Sequence, residues 1–83
     1  MWSKEKIIEK LYKSPQNVSY FEIETLFKND DFSIVDWKWS HKRIIYKKNP
    51  KMFVSFALHN NDCKLPYKKQ LGKLYKFYLT DNN

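Results

Sequence analysis

"MFVSFALH", Met52 to His59, alternates along its length. Met52, Val54, Phe56 and Leu58 fall on one side of an extended chain, and Phe53, Ser55, Ala57 and His59 on the other. An all-apolar side opposite a mixed one is the pattern of a strand with one face in a core. The apolar set is expected to face helices. Working back, Asn49-Pro50-Lys51 is a strong turn, and Lys42 to Lys48 forms a second strand. Phe32 to Trp39, rich in aromatic and β-branched residues, forms a first. The connections are short, which favours an antiparallel meander of three strands.

Helices flank this sheet in the chain. A polar loop, Asn60 to Lys64, leads to a last helix with Pro66 in its first turn. Tyr67, Leu71, Leu74 and Tyr78 recur on one face of it. Gly72, the only glycine, weakens this helix by up to about 1 kcal/mol and is expected to let it pack closely on the sheet. Upstream, Ser19 and Glu22 form a capping box for a helix that buries Ile23, Leu26 and Phe27, and Val18 and Ile23 make its hydrophobic staple. Asn29 to Asp31 turns the chain after it. An earlier helix, capped by Ser3, carries Ile7, Ile8 and Leu11 and ends at Pro15, because a proline pushes its predecessor out of the helical region. The predicted order is α-α-β-β-β-α, a single α+β domain over residues 1–83 with a three-stranded antiparallel sheet and helices on one face.

With 83 residues, such a domain buries only about 60% of its unfolded surface. An aromatic content of 18% enlarges the core that this allows. One cysteine, Cys63, excludes an internal disulfide and a multi-cysteine zinc site, and is expected to be a semi-exposed loop thiol. No apolar run approaches the length of a membrane span, and "MWSKEKIIEK" is too charged for a signal peptide. A soluble, cytoplasmic protein is expected. Its net charge of +7 is uneven: residues 1–37 hold five basic and seven acidic side chains, and residues 38–83 hold eleven basic and two acidic. A field this lopsided points to a polyanion, most simply nucleic acid. A lysine-rich solvated surface is the plainer reading, since 15 of the 16 basic residues are lysine.

There is no glycine-rich phosphate loop and no HExxH. Two histidines and one cysteine, scattered, make a weak metal site, so no cofactor is expected. What stands out is His41 among cations, in "WKWSHKR", Trp37 to Arg43. Cleaving RNA without a metal requires a proton removed from a 2′-hydroxyl or delivered to the leaving oxygen, and imidazole exists in both forms near neutrality. Lys38, Lys42 and Arg43 are then candidates to bind phosphate, and Ser40 to orient the ring or bond a phosphate oxygen. Trp37 and Trp39 are candidates to stack bases. The alternative is a hairpin histidine beside two core tryptophans. His59, on the mixed face of the third strand, reads as structural or simply exposed. Lys64, Lys68 and Lys69 surround the start of the last helix, where the helix dipole disfavours cations and favours a bound anion. Lys68 and Lys69 are therefore candidate phosphate contacts, against the alternative of a solvated lysine face.

The stretch "SPQNVSYFEIETLFKNDDFSIVDWKWSHKRIIYKKNP", Ser14 to Pro50, resembles the HicA toxin family, the mRNA interferases of bacterial type II toxin–antitoxin pairs. Asn17-Val18-Ser19-Tyr20-Phe21-Glu22-Ile23 is similar to the family's Asn-Val-x-Phe-x-Glu-Leu with one residue shifted. Lys38-Trp39-Ser40-His41 matches its Lys-Gly-Ser-His except that Trp39 stands where the family has glycine. Ile44 to Lys47, Asn49-Pro50 and Lys64 to Lys68 continue the likeness, which spans about Ser3 to Leu79. The resemblance implies a double-stranded-RNA-binding-domain-like α-β-β-β-α core over 17–79, with residues 1–14 as an N-terminal helical extension. It implies a ribonuclease acting on mRNA through His41 and silenced by a HicB-type antitoxin. Trp39 either narrows the RNA pocket, adds a stacking surface, or marks a non-catalytic RNA-binding module of the same fold.

Overall fold

Ser19 starts the central helix as its sequence requires. Its hydroxyl accepts the backbone N–H of Glu22 at 3.3 Å, and the Glu22 carboxylate accepts the N–H of Ser19 at 3.2 Å, so two donors left over at the helix end are satisfied reciprocally. The computed structural model that contains this box describes residues 4–38 and 40–81. Three helices are present: α1 (Lys4–Lys13), α2 (Tyr20–Phe27) and α3 (Leu65–Asp81). The predicted Ser3 cap lies outside the described residues. α1 closes with Ser14 N–H donating to the Lys10 carbonyl at 2.7 Å. Pro15, which has no N–H to continue the ladder, opens a short 3-10 turn over Pro15–Asn17. Val18 and Ile23 are both buried at the start of α2, and Asn29 ends the helix by accepting the Asp31 N–H on its own side chain at 2.8 Å.

The sheet has strands β1 (Phe32–Asp36), β2 (His41–Tyr46) and β3 (Phe53–Ala57) in the order β1-β2-β3, all antiparallel. Register pairs Val35 with Arg43 and Arg43 with Ser55, and His41 with Ala57. Phe32, Ile44, Tyr46, Val54 and Phe56 point into the core, with Ile34 partly buried beside them. Alternation then sends Val35, His41, Arg43, Ile45, Phe53, Ser55 and Ala57 to the opposite face, which no element among the described residues covers. Helices lie on one face only, as the alternation at 52–59 predicts. β1 is shorter than predicted because the chain leaves the ladder at Lys38, whose φ of 112° is one that L side chains rarely adopt.

α3 supplies Leu71, Leu74 and Tyr75 to the core, and its far end is tied down by two tyrosine hydroxyls. Tyr46 donates to Asp81 at 2.8 Å and Tyr78 to Asp31 at 2.6 Å. Tyr75 joins an aromatic cluster with Phe27 and Phe32, the latter two with ring centroids 4.7 Å apart edge to face. Gly72 does permit a close approach, but to α1 and not to the sheet: a Cβ there would stand 3.3 Å from Leu11 Cγ. α1 is thus built into the domain, with Ile7 and Leu11 each 2% exposed in the same core as the sheet.

Candidate functional site on the open sheet face

The uncovered face of the sheet brings three of the predicted site residues together. The rings of Trp37 and His41 are 5.4 Å apart between centroids. The Arg43 guanidinium lies 5.5 Å from the Trp37 ring and 5.0 Å from the Phe53 ring. Its Nε donates to Ser55 Oγ at 3.2 Å across the β2–β3 pair. Arg43 is the only arginine in the chain. A planar, weakly hydrated guanidinium held between two aromatic rings is a use lysine does not share. Trp37, 42% exposed, and Phe53, 48% exposed, flank it, and a shallow groove lined by Val35, Trp37, Arg43 and Ile45 runs beside it. Phe53 was not singled out as a site residue in the sequence. Its signal was there: it is the one large aromatic on the mixed side of the 52–59 alternation.

His41 opens β2, and the strained corner before it holds its ring. The Lys38 carbonyl accepts the His41 backbone N–H at 2.9 Å and lies 3.0 Å from His41 Nδ1. A carbonyl only accepts, so Nδ1 carries the proton in that contact, and in the neutral ring Nε2 holds the free lone pair. The ladder continues past β1 through Trp37 N–H to the His41 carbonyl at 3.1 Å. Lys38 thus spends a positive φ, a cost of about 1–3 kcal/mol, in the turn that presents its carbonyl to this imidazole. The corner's left-handed residue is Lys38; Trp39 itself lies outside the described residues. Lys38 and Ser40 are exposed at the same corner, where the Ser40 carbonyl accepts the Leu58 N–H at 3.0 Å.

The remaining lysines are placed elsewhere. Lys42 points to the helix side, 5.9 Å from the Tyr20 ring centroid, and pairs with Asp36 at 2.6 Å. Lys68, expected at a phosphate, is instead buried, and its Nζ donates to Asp62 Oδ2 at 3.0 Å, so it is not presented to a phosphate. Asp62 also accepts the backbone N–H groups of Tyr20 and Cys63, at 2.8 and 3.0 Å. Burial works against the Asp62 charge, but the bonds from Lys68, Tyr20 and Cys63 outweigh it and hold the carboxyl below the usual carboxylate range. Lys69 is exposed and lines a groove of about 550 Å³ between α1 and α3 with Lys13, Lys73 and Lys76, in the helical layer and not on the open face.

Cys63 is buried, not semi-exposed, and burial with the neighbouring Asp62 charge pushes its thiol up to about 11. A thiol so rarely ionised at neutral pH makes a poor nucleophile. His59 is exposed two residues past the end of β3, bridged to Asp62 across a turn. Among the described residues, no group of three or more histidine, cysteine or carboxylate side chains is placed to hold a metal ion, and no helix is long and apolar enough to cross a membrane. Comparison with family models, with curated proteins and with solved structures finds no match.

Proposed function

We propose that this chain is the toxin of a bacterial toxin–antitoxin pair, a metal-independent endoribonuclease of the HicA kind built on a double-stranded-RNA-binding-domain-like fold. The observation that carries the reading is the clamp on His41: a strained backbone presents the Lys38 carbonyl to Nδ1 and leaves Nε2 available on an open, aromatic, cationic surface. A base meant to take a proton from a ribose hydroxyl needs an unprotonated ring nitrogen of this kind. Trp37 and Phe53 offer stacking surfaces for unpaired bases, and Arg43 between them meets a base or a phosphate. Metal independence is proposed from the donor set. The basic half has only Asp62 and Asp81, and both carboxylates are engaged, the first with Lys68 and the second with Tyr46.

In this reading mRNA lies across the open face, and a HicB-type antitoxin silences the toxin in the cytoplasm by covering the same surface. A covering partner gains from burying Trp37, Phe53, Val35 and Ile45, all exposed or half-buried here, and from carboxylates set against Arg43 and Lys38. Trp39 at the family's glycine position favours a second reading, a module of the same fold that binds RNA without cutting it.

One comparison separates them. Purified protein and its His41→Ala variant are incubated with a long single-stranded transcript in EDTA, and RNA binding is titrated in parallel. Loss of about 10²-fold or more in cleavage with binding largely kept is the expected result. Equal cleavage by the two proteins, or loss of binding and cleavage together, rejects the catalytic role of His41.

A further inference from the structure

His59 shares a face and an end of the sheet with His41. Leu58 is packed against the core, so alternation turns its neighbours Ala57 and His59 outward, and Ala57 is the direct cross-strand partner of His41. Pairing persists beyond the named strands, since Leu58 N–H donates to the Ser40 carbonyl at 3.0 Å. A residue two places beyond a direct partner is a diagonal neighbour, with Cα atoms about 7–8 Å apart, within reach for long side chains.

The turn that carries His59 is fixed more firmly than an exposed loop requires. His59 and Asp62 exchange both backbone bonds, at 2.7 and 3.0 Å. Asn60 and Asn61 between them have φ of 53° and 65°, the two left-handed residues of a type I′ turn. Asp62 then anchors the turn through its three side-chain bonds to α2, to Cys63 and to Lys68 of α3. The result is an exposed imidazole, His59, on a braced support just past the end of β3, at the end of the sheet where the half-buried His41 opens β2.

We infer that His59 is the general acid of this site, the proton donor that complements His41 as base; the inference rests on the ribonuclease reading above. In the cleavage step the 2′-oxygen attacks phosphorus and its proton passes to His41 Nε2. The bond from phosphorus to the 5′-oxygen breaks, and the protonated His59 imidazole gives its proton to that oxygen. The products are a 2′,3′-cyclic phosphate and a 5′-hydroxyl. Attack and departure are in line, so the two proton carriers must flank the phosphorus and not share one side of it. A phosphate seated between the two imidazoles would have one on each side, whereas one imidazole alone serves only one of the two proton transfers. Arg43 on the same face and Lys38 at the corner are the cations that would meet the charge on the phosphoryl oxygens. The Asp62 carboxylate is turned to Lys68 and the α2 N-terminus.

The test compares the parent, His41→Ala and His59→Ala on two RNA substrates in single-turnover cleavage. One has the ordinary 5′-oxygen at the scissile bond; the other has sulfur there, a leaving group that departs without protonation. His59→Ala is expected to cut the oxygen substrate at least about 10²-fold more slowly than the parent and the sulfur substrate within a few-fold of it. His41→Ala is expected to be slow on both. Parent-like cutting of the oxygen substrate by His59→Ala overturns the inference and leaves the role of His41 standing. Slow cutting of both substrates by His59→Ala assigns His59 a structural part and overturns it equally. If the parent cuts neither substrate, the ribonuclease reading falls and the inference falls with it.

Discussion

Asp62→Ala should destabilise this protein far more than Lys68→Met, although the two side chains form one ion pair. Lys68 is the buried partner, its side chain 7% exposed, whereas that of Asp62 is 43% exposed. Removing the carboxylate strands an ammonium among apolar neighbours and releases the Tyr20 and Cys63 N–H groups. Breaking a buried pair from one side costs about 3–5 kcal/mol, and the half-exposed position of Asp62 places this case near the lower end, about 3 kcal/mol. A domain of this size is stable by roughly 4–12 kcal/mol in all, so the loss is a large share. Lys68→Met keeps the buried stem, removes the desolvated charge and leaves Asp62 with two backbone donors and water. Its cost should stay within about 1 kcal/mol. Urea unfolding of both variants measures the difference. A Lys68→Met loss as large as that of Asp62→Ala would mean that the attraction outweighs the burial penalty, against the reasoning given. Acid adds a signature. The folded-state carboxyl is held below its unfolded value, so its contribution is complete above the unfolded pKa, about 4, and is lost as pH falls through the folded one. Asp62→Asn should flatten that part of the acid limb.

Lys38→Gly should relieve the positive φ and stabilise the fold by about 1 kcal/mol after the extra entropy of glycine in the unfolded chain, raising Tm by about 4–8 °C in a thermal scan. An unchanged or lower Tm would show that the corner is not strained. Phe53→Ala should weaken binding of single-stranded RNA by about 1–3 kcal/mol, the worth of one base stack, in a fluorescence titration. Arg43→Lys should also weaken it while leaving the salt dependence of binding unchanged, because the charge is kept and the planar contact with Trp37 and Phe53 is not. A full return of affinity with lysine would reduce Arg43 to a point charge.

The parts of the fold that were legible in the sequence are those decided by neighbours along the chain. Ser19 with Glu22, the alternation from Met52 to Leu58 and the Asn-Pro-Lys turn each need only local sterics and hydrogen bonds, and each is found in place. The end of β1 was not legible, because the left-handed residue at the corner is a lysine and no glycine advertises it. Lys68 misled for a different reason. Beside Lys64 and Lys69 it reads as one more cation at a helix start, and only the Asn60–Asn61 turn brings Asp62 back onto it. A signal existed in the composition: Asp62 is the one acid among the basic residues between Lys38 and Lys76. A solitary carboxylate there is more readily explained by a partner than by chance. Cys63 follows the same turn into the core, next to the Asp62 carboxylate that accepts its N–H and that of Tyr20 at the α2 N-terminus.

Charge counting places the excess of cations only in the second half of the chain, and the fold divides that half between two faces. Arg43, with Lys38 at the corner, belongs to the open face, where Trp37, Phe53 and His41 also lie. Lys69, Lys73 and Lys76 lie in the helical layer across the sheet. Charges separated by more than about 8 Å of solvent are largely screened at physiological salt. The α3 lysines therefore do little for a phosphate held at His41. In the proposed function they raise the rate of encounter and extend the footprint of a long RNA, while chemistry and selectivity belong to the open face. A sequence that is +9 over its last 46 residues looks uniform in this respect. Strand parity separates the two surfaces, because it sends His41 and Arg43 to one side and Lys42, between them, to the other.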